Sequence, residues 1–153
     1  MRVYRLIKEK YMRDLSGTGA KRAGAKWNIK GHEMLYTSES RSLSTAEIAV
    51  HTRLGNIPLD YFLITIEIPD SIHLFELKIA DLPEDWKVIP HSNSTQLIGD
   101  KFLDEGKYLV MKVPSVVVPG DFNYLINPAH NFFTKIKIVD IVAFAFDKRL
   151  FKK

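Results

Sequence analysis

The sequence predicts an α+β fold: one domain, mainly antiparallel strands, with a few helices. Three observations lead there. Runs rich in β-branched and aromatic residues with two-residue alternation recur from Arg2 to Asp147. Only two stretches carry helical periodicity. The 153 residues suit a single hydrophobic core spanning 1–153, with no internal repeat or low-complexity tract to divide them.

Arg2 to Lys8 is the first strand, with Val3, Arg5 and Ile7 on one side and Tyr4 and Leu6 on the other. An arginine among β-branched neighbours needs a partner. A phosphate would serve, and so would a core carboxylate. Leu15 to Gly31 reads as a glycine-rich basic loop; it lacks the Walker and dinucleotide spacings but suits close approach to phosphates through Lys21, Arg22 and Lys26. A short strand over Glu33–Thr37 leads through serines into a helix expected from about Ser44 to Gly55. Tyr61–Ile68 and Ser71–Leu77, joined at Pro69-Asp70, are expected to form an antiparallel hairpin. After an irregular stretch to Pro90, Ser94 or Thr95 begins a helix that stops at Gly106. Tyr108–Val113 is a strand entering Pro114-Ser-Val-Val-Val-Pro119. Asn123–His130 reads as a polar loop, and Lys135–Asp147 as one or two strands bent near Asp140.

Composition excludes several functions. The absence of cysteine rules out disulfides, thiolate metal sites and a thiol nucleophile, and fits a reducing cytoplasm. Five histidines at 32, 51, 73, 91 and 130 show no ligand spacing, so no metal is expected. Met1 runs straight into a strand-like segment, and Ile141–Phe146 is too short to span a bilayer, so a soluble, unprocessed, cytoplasmic protein with no membrane contact is expected. Residues 1–30 hold nine Lys or Arg against Glu9 and Asp14, although the whole chain is only +4. That patch would attract nucleic acid, a nucleotide diphosphate or an acidic protein, or simply face solvent. Its aromatics, Tyr4, Tyr11 and Trp27, are too irregular for a stacking platform, which disfavours a nucleic-acid module.

Glu47 is the residue to explain. Leu43, Glu47, Val50 and Leu54 share one helical face, which puts a carboxylate where burial is expected. Ser44 and Glu47 match a capping box. Equally, Glu47 would suit a cleft in which a carboxylate stabilises positive charge on a substrate. Ser115, among apolar neighbours and without a nucleophile elbow, reads as a backbone-bonded core serine.

Eight ordered blocks carry a resemblance: Tyr4-Arg5, Leu15-Ser-Gly-Thr-Gly-Ala, Ala25-Lys-Trp-Asn with Gly31, Leu35-Tyr-Thr-Ser-Glu-Ser, Ala46-Glu47, Val113-Pro-Ser-Val-Val-Val-Pro, Asn123-Tyr-Leu-Ile-Asn-Pro and Phe146-Asp-Lys-Arg-Leu-Phe. Together they resemble the RES-domain toxins over nearly the whole chain. The resemblance implies an ADP-ribosyltransferase-like fold with NAD in the central cleft, and a type II toxin that breaks the nicotinamide–ribose bond and arrests growth. Some members are NAD phosphorylases, and some have been proposed to ADP-ribosylate a protein. It implies an Xre-type helix-turn-helix antitoxin as partner, and a homodimer within a larger complex. NAD is then substrate rather than cofactor, with inorganic phosphate a possible co-substrate and water or a protein side chain the other acceptors. The naming arginine, glutamate and serine correspond to Arg5, Glu47 and Ser115. Glu47 would hold the ribose and stabilise the oxocarbenium-like charge, Ser115 would orient it or the nicotinamide, and Tyr36 would stack on nicotinamide or ribose. Arg5 and Lys26 would take the diphosphate, with Asn127 a further substrate contact. Gly24-Ala25-Lys26 departs from the family's Gly-Gly-Arg, replacing a bidentate guanidinium with a point charge.

Overall fold

The computed structural model describes residues 1–152. Seven strands form one sheet: β1 (Arg2–Lys8), β2 (Leu35–Ser38), β3 (Tyr61–Glu67), β4 (Leu74–Glu76), β5 (Val110–Pro114), β6 (Phe122–Ile126) and β7 (Lys137–Phe144). Their order is β4-β5-β6-β2-β1-β3-β7, antiparallel throughout except that β4 runs parallel to β5. Three helices accompany them, α1 (Thr18–Ala23), α2 (Arg41–Val50) and α3 (Asn93–Glu105).

The strands bury both faces, and the alternation within each decides which side chain goes where. Val3, Ile64, Ile66, Val110, Tyr124 and Ile126 fill one face, covered by connecting segments that bring in Met12, Leu15, Ile72 and Phe133. On the other face Met111, Val113 and Leu125 meet Trp27, Met34 and Phe102 beneath α3. Leu6 and Leu63 form a third cluster with Phe146 and Phe151, against which Ile48 and Ala49 of α2 pack. Both long helices therefore sit on the same face, α3 toward one end and α2 toward the other.

Several expectations change. The two strands at Pro69-Asp70 are not a hairpin: β3 is paired along its length by β1 and β7, so its edges are full and the chain crosses to the far edge to form β4. The polar loop begins only at Asn127, because Phe122–Ile126 is the interior strand β6, with Tyr124 and Ile126 buried on one face and Leu125 on the other. The glycine-rich loop contains a short helix, α1, entered through Gly17 in the left-handed conformation (φ 74°). Strand β2 begins and ends later than Glu33–Thr37. Near Asp140 the expected bend is a register shift opposite Thr65/Ile66 inside the single strand β7. Helix α3 ends as expected, with Gly106 left-handed at φ 55°.

Helix α2 starts and ends before the sequence suggests. Ser40, not Ser44, is the N-cap, accepting from the Leu43 amide at 3.0 Å. With Leu43 at the third helical position no capping box forms, so Glu47 is free of that duty. The helix stops at Val50, leaving Val50 and Leu54 exposed; of the anticipated buried face only Leu43 is fully covered.

Helix α3 lies directly on the Trp27 backbone, and a Cβ added at Gly99 would fall 1.7 Å from the Trp27 carbonyl oxygen. Gly99→Ala is expected to cost ~3 kcal/mol or more of stability, seen as a lower urea midpoint. An unchanged midpoint would contradict this close approach.

Candidate active site

Strands β1 and β2 share a single bridging pair, Tyr4↔Ser38, whereas β1 pairs with β3 at seven positions. Where β1 and β2 part, a cleft of about 240 Å³ opens. Tyr4, Arg5 and Leu6 line it from β1, and Tyr36, Thr37 and Ser38 from β2. Asn123 contributes from β6, while Ser44, Glu47, Ile48 and His51 come down from α2 and its C-terminal end.

Glu47 is the centre of a directed hydrogen-bond chain. Ser38 Oγ donates to Asn123 Oδ1 (2.9 Å), and Asn123 Nδ2 donates to Glu47 Oε1 (2.8 Å). From the other side Ser115 Oγ donates to the same Oε1 (3.2 Å). Ser115 is in turn held by the amides of Val117 and Val118, each donating to its Oγ at 3.1 Å. One carboxylate oxygen thus has two fixed donors. Oε2 has no hydrogen-bond partner among the described residues, which leaves it available to a ligand in the cleft. Ser115 is a backbone-bonded, buried serine, as its surroundings suggest, and it also positions Glu47.

Arg5 belongs to the Val3/Ile7 face yet lines the cleft, because the strands separate beside it. Its Nη1 donates to the Asp14 carbonyl at 2.9 Å, so its protein partner is this turn and not Glu47. Burial lowers its pKa from the ordinary value, and the neighbouring Asp14 partly opposes that. The remaining guanidinium N–H groups are available for an anion.

Tyr36 contributes to the cleft wall, but its hydroxyl is committed elsewhere. It donates to Asn28 Oδ1 (2.8 Å) and accepts from the Trp27 amide (3.1 Å), and burial raises its pKa far above the ordinary value. Tyr36 can offer a ring to a ligand, not a proton.

Lys26 and Asn127 stand outside the cleft. The Lys26 ammonium donates to the Trp86 carbonyl and lies 5.9 Å from both the Trp27 and Trp86 ring centroids. Burial lowers its pKa, and Asp85 opposes this. Its local sequence places it on the loop beneath α3, where Thr95 Oγ1 donates to its carbonyl (2.7 Å). Asn127 is buried at the far end of β6, donating to the Leu103 carbonyl (3.3 Å) and accepting from the Ala129 amide (3.0 Å). The asparagine that reaches Glu47 is Asn123, four residues earlier.

Asn123, Ser38, Tyr4 and His51 are site residues that sequence reasoning misses. Asn123 carries a signal, a polar residue two positions before the buried Leu125 on the same sheet face, but only once the segment is known to be a strand. The Ser38–Asn123 contact comes from the β2–β6 register, in which those two residues are opposite each other. A larger cavity of about 360 Å³, between Phe75, Phe102 and Tyr108, has only one carboxylate, Glu105, which pairs with Lys101 at 3.7 Å. Among the described residues no group of His, Asp and Glu is arranged to hold a metal.

A mixed sheet opened between two strands, with a braced glutamate at the opening, defines a single-carboxylate cleft protein. The RES domain model matches residues 2–147, so the chain belongs to the RES-domain family. It is 36% identical over 143 residues to the Prs ADP-ribosylating toxin of Sphingobium sp., covering 92% of this chain and 88% of that protein. It is also 36% identical to Toxin Res of Yersinia enterocolitica, over 98% of this chain and 99% of the relative, and 35% identical to Toxin Res of Photorhabdus laumondii, over 99% and 98%. Its fold matches a chain of the M. tuberculosis MbcT–MbcA toxin–antitoxin complex with a TM-score of 0.76 at 19% identity, covering 98% of this chain and 86% of that one.

Replacing the Tyr36 hydroxyl strands the Trp27 amide and Asn28 Oδ1. Tyr36→Phe is therefore expected to lose about 1–2 kcal/mol of stability by urea titration at pH 7. The pH dependence has a definite sign. With its pKa raised in the folded state, the wild type should lose stability as pH rises above the unfolded tyrosine value of about 10. The variant should lose less over that range, and equal alkaline losses would contradict the assignment.

Proposed function

We propose that this protein is a toxin that breaks the nicotinamide–ribose bond of NAD to arrest growth, with Glu47 as the catalytic carboxylate. The observation that carries the reading is Glu47 itself: Oε1 is braced by Asn123 and Ser115 while Oε2 is left to the cleft. Breaking an N-glycosidic bond of this kind builds oxocarbenium-like charge on the ribose, and nicotinamide leaves as a neutral base without needing a proton. One ionised carboxylate therefore suffices, provided it cannot turn away. The Ser38–Asn123 and Ser115 contacts meet that requirement. In this reading Glu47 Oε2 takes the ribose hydroxyls and faces the developing charge, the Tyr36 ring packs against nicotinamide or ribose, and Arg5 pairs with the diphosphate.

The acceptor divides the possible products. Phosphate gives ADP-ribose-1''-phosphate, water gives ADP-ribose, and a protein side chain gives an ADP-ribosylated protein. The last is favoured by the resemblance to a relative named as an ADP-ribosylating toxin. All three share the bond-breaking step at Glu47. The toxin names of the relatives and the toxin–antitoxin complex that shares the fold support a growth-arresting role restrained by an antitoxin, which in this reading is of the helix-turn-helix class that the family resemblance implies.

Nicotinamide release from NAD, followed with purified protein with and without phosphate, tests the reading. Glu47→Gln is expected to lower the rate by about 100-fold or more while unfolding at the wild-type midpoint. Ser115→Ala, which removes one donor to the carboxylate, should cost roughly tenfold. Release by the folded Glu47→Gln variant at the wild-type rate would remove Glu47 from the chemistry. In a second assay, Arg5→Ala should raise KM for NAD more than it lowers kcat; an unchanged KM would remove Arg5 from diphosphate binding.

A further inference from the structure

Ser44 and Glu47 have the spacing of a capping box, and the structure gives them a different relation. Ser40 takes the cap, accepting from the Leu43 amide, and Ser44 is left in the body of α2 with only 4% of its surface exposed. A serine inside a helix ordinarily turns its hydroxyl back to the carbonyl four residues earlier or out to solvent. Thr45 does the first, donating to the Arg41 carbonyl at 2.9 Å, and Thr52 does the same to Ile48 at 2.8 Å. Ser44 does neither: its Oγ is buried and has no hydrogen-bond partner. Two other buried side-chain atoms among the described residues share that condition, His32 Nδ1 and Asp100 Oδ2. They belong to one ion pair, in which His32 Nδ1 lies 3.0 Å from Asp100 Oδ1. Ser44 belongs to no such pair, and it lines the cleft.

A buried hydroxyl without a partner is unfavourable, and a ligand in the cleft would relieve it. Ser44, Glu47, Ile48 and His51 are the residues that α2 and its C-terminal end present to the cleft, at the i, i+3, i+4, i+7 spacing of one helical face. Residues three apart on a helix have Cβ atoms about 5–6 Å from each other. Glu47 offers Oε2, the oxygen that Asn123 and Ser115 leave free. Ser44 offers a hydroxyl that a single χ1 rotation redirects among three staggered positions. A carboxylate that only accepts, next to a hydroxyl that both donates and accepts, suits two adjacent hydroxyls on one ring. We propose that Ser44 and Glu47 together read the vicinal diol of the nicotinamide-bearing ribose, with Glu47 Oε2 accepting from the 2-hydroxyl and Ser44 Oγ bonding the 3-hydroxyl. The proposal rests on the NAD-cleaving reading of Glu47. The order follows from the chemistry: positive charge develops at C1, the 2-hydroxyl is on the neighbouring carbon, and the carboxylate that faces the charge lies beside that hydroxyl. Ser44 then sets specificity, selecting a ribose with both hydroxyls, and takes no part in breaking the bond.

The test is a cycle of two full-length proteins, wild type and Ser44→Ala, and two substrates, NAD and NAD lacking the 3-hydroxyl of the nicotinamide-bearing ribose. Nicotinamide release is read as kcat/KM. Wild type is expected to prefer NAD by about tenfold, whereas Ser44→Ala should cleave NAD about fivefold less well and lose most of the preference. An analogue lacking the 2-hydroxyl should be disfavoured to the same extent by both proteins. The urea midpoint of Ser44→Ala should equal or exceed that of wild type, because the change removes an unpaired buried oxygen and introduces the best helix former. Undiminished preference for the 3-hydroxyl in Ser44→Ala would overturn the proposal while leaving the NAD reading intact. So would a preference lost for the 2-hydroxyl instead, or a lowered midpoint, which would mean that Oγ is engaged within the protein itself. Wild-type protein that releases no nicotinamide from NAD would refute the NAD reading, and the proposal with it.

Discussion

The sheet is continuous, yet its two halves are joined between β1 and β2 by one bridging pair, Tyr4↔Ser38. The geometry of the whole site depends on that restricted pairing. Had β1 and β2 paired as fully as β1 and β3 do, the space beside Arg5 and Tyr36 would be closed by a ladder. Because they part, a side chain from either face can reach one cleft, and Arg5 does so although its neighbours Val3 and Ile7 are buried elsewhere. Helix α2 covers one side of the opening and supplies Glu47. Strand β6 supplies Asn123 through its register with β2.

The charge at the centre is held by a polar chain of short side chains, not by an opposing cation. Asn123 and Ser115 both give their hydrogens to one oxygen of Glu47, and both are themselves positioned, the first by Ser38 and the second by two backbone amides. A salt bridge to Glu47 would neutralise the group that must face a developing positive charge. Arg5, which lines the same cleft, is instead turned toward the Asp14 carbonyl. Arg5 and Glu47 are thus kept apart, as the proposed chemistry requires of one charge for an anionic part of the ligand and another for a cationic transition state.

How much of this is legible in the sequence depends on the reach of each contact. The α+β class, β1, α3 with its glycine stop and the irregularity in β7 follow from local periodicity and turn chemistry, and the structure has them. Glu47 stands out because a carboxylate on an apolar helical face is unusual, although the boundaries of that helix differ from those its sequence suggests. Ser40 competes successfully with Ser44 for the cap, and Val50 and Leu54 belong to an exposed surface instead of the core. What local sequence does not reveal is contacts made across the sheet. Nothing local distinguishes Asn123 from Asn127, and only the β2–β6 register puts the first against Glu47 and the second at the strand end beside α3. Lys26 looks suited to phosphate by its glycine neighbours, but α3 packs on the adjacent backbone through Gly99 and the ammonium turns toward Trp86.

The most direct measurement is a crystal structure of the Glu47→Gln protein with NAD. The dinucleotide is expected in the cleft where β1 and β2 part, its nicotinamide-bearing ribose within hydrogen-bond distance of residue 47 and its diphosphate at Arg5. NAD seated instead in the cavity between Phe75 and Tyr108, or bound with its nicotinamide end away from residue 47, would contradict the role given to Glu47.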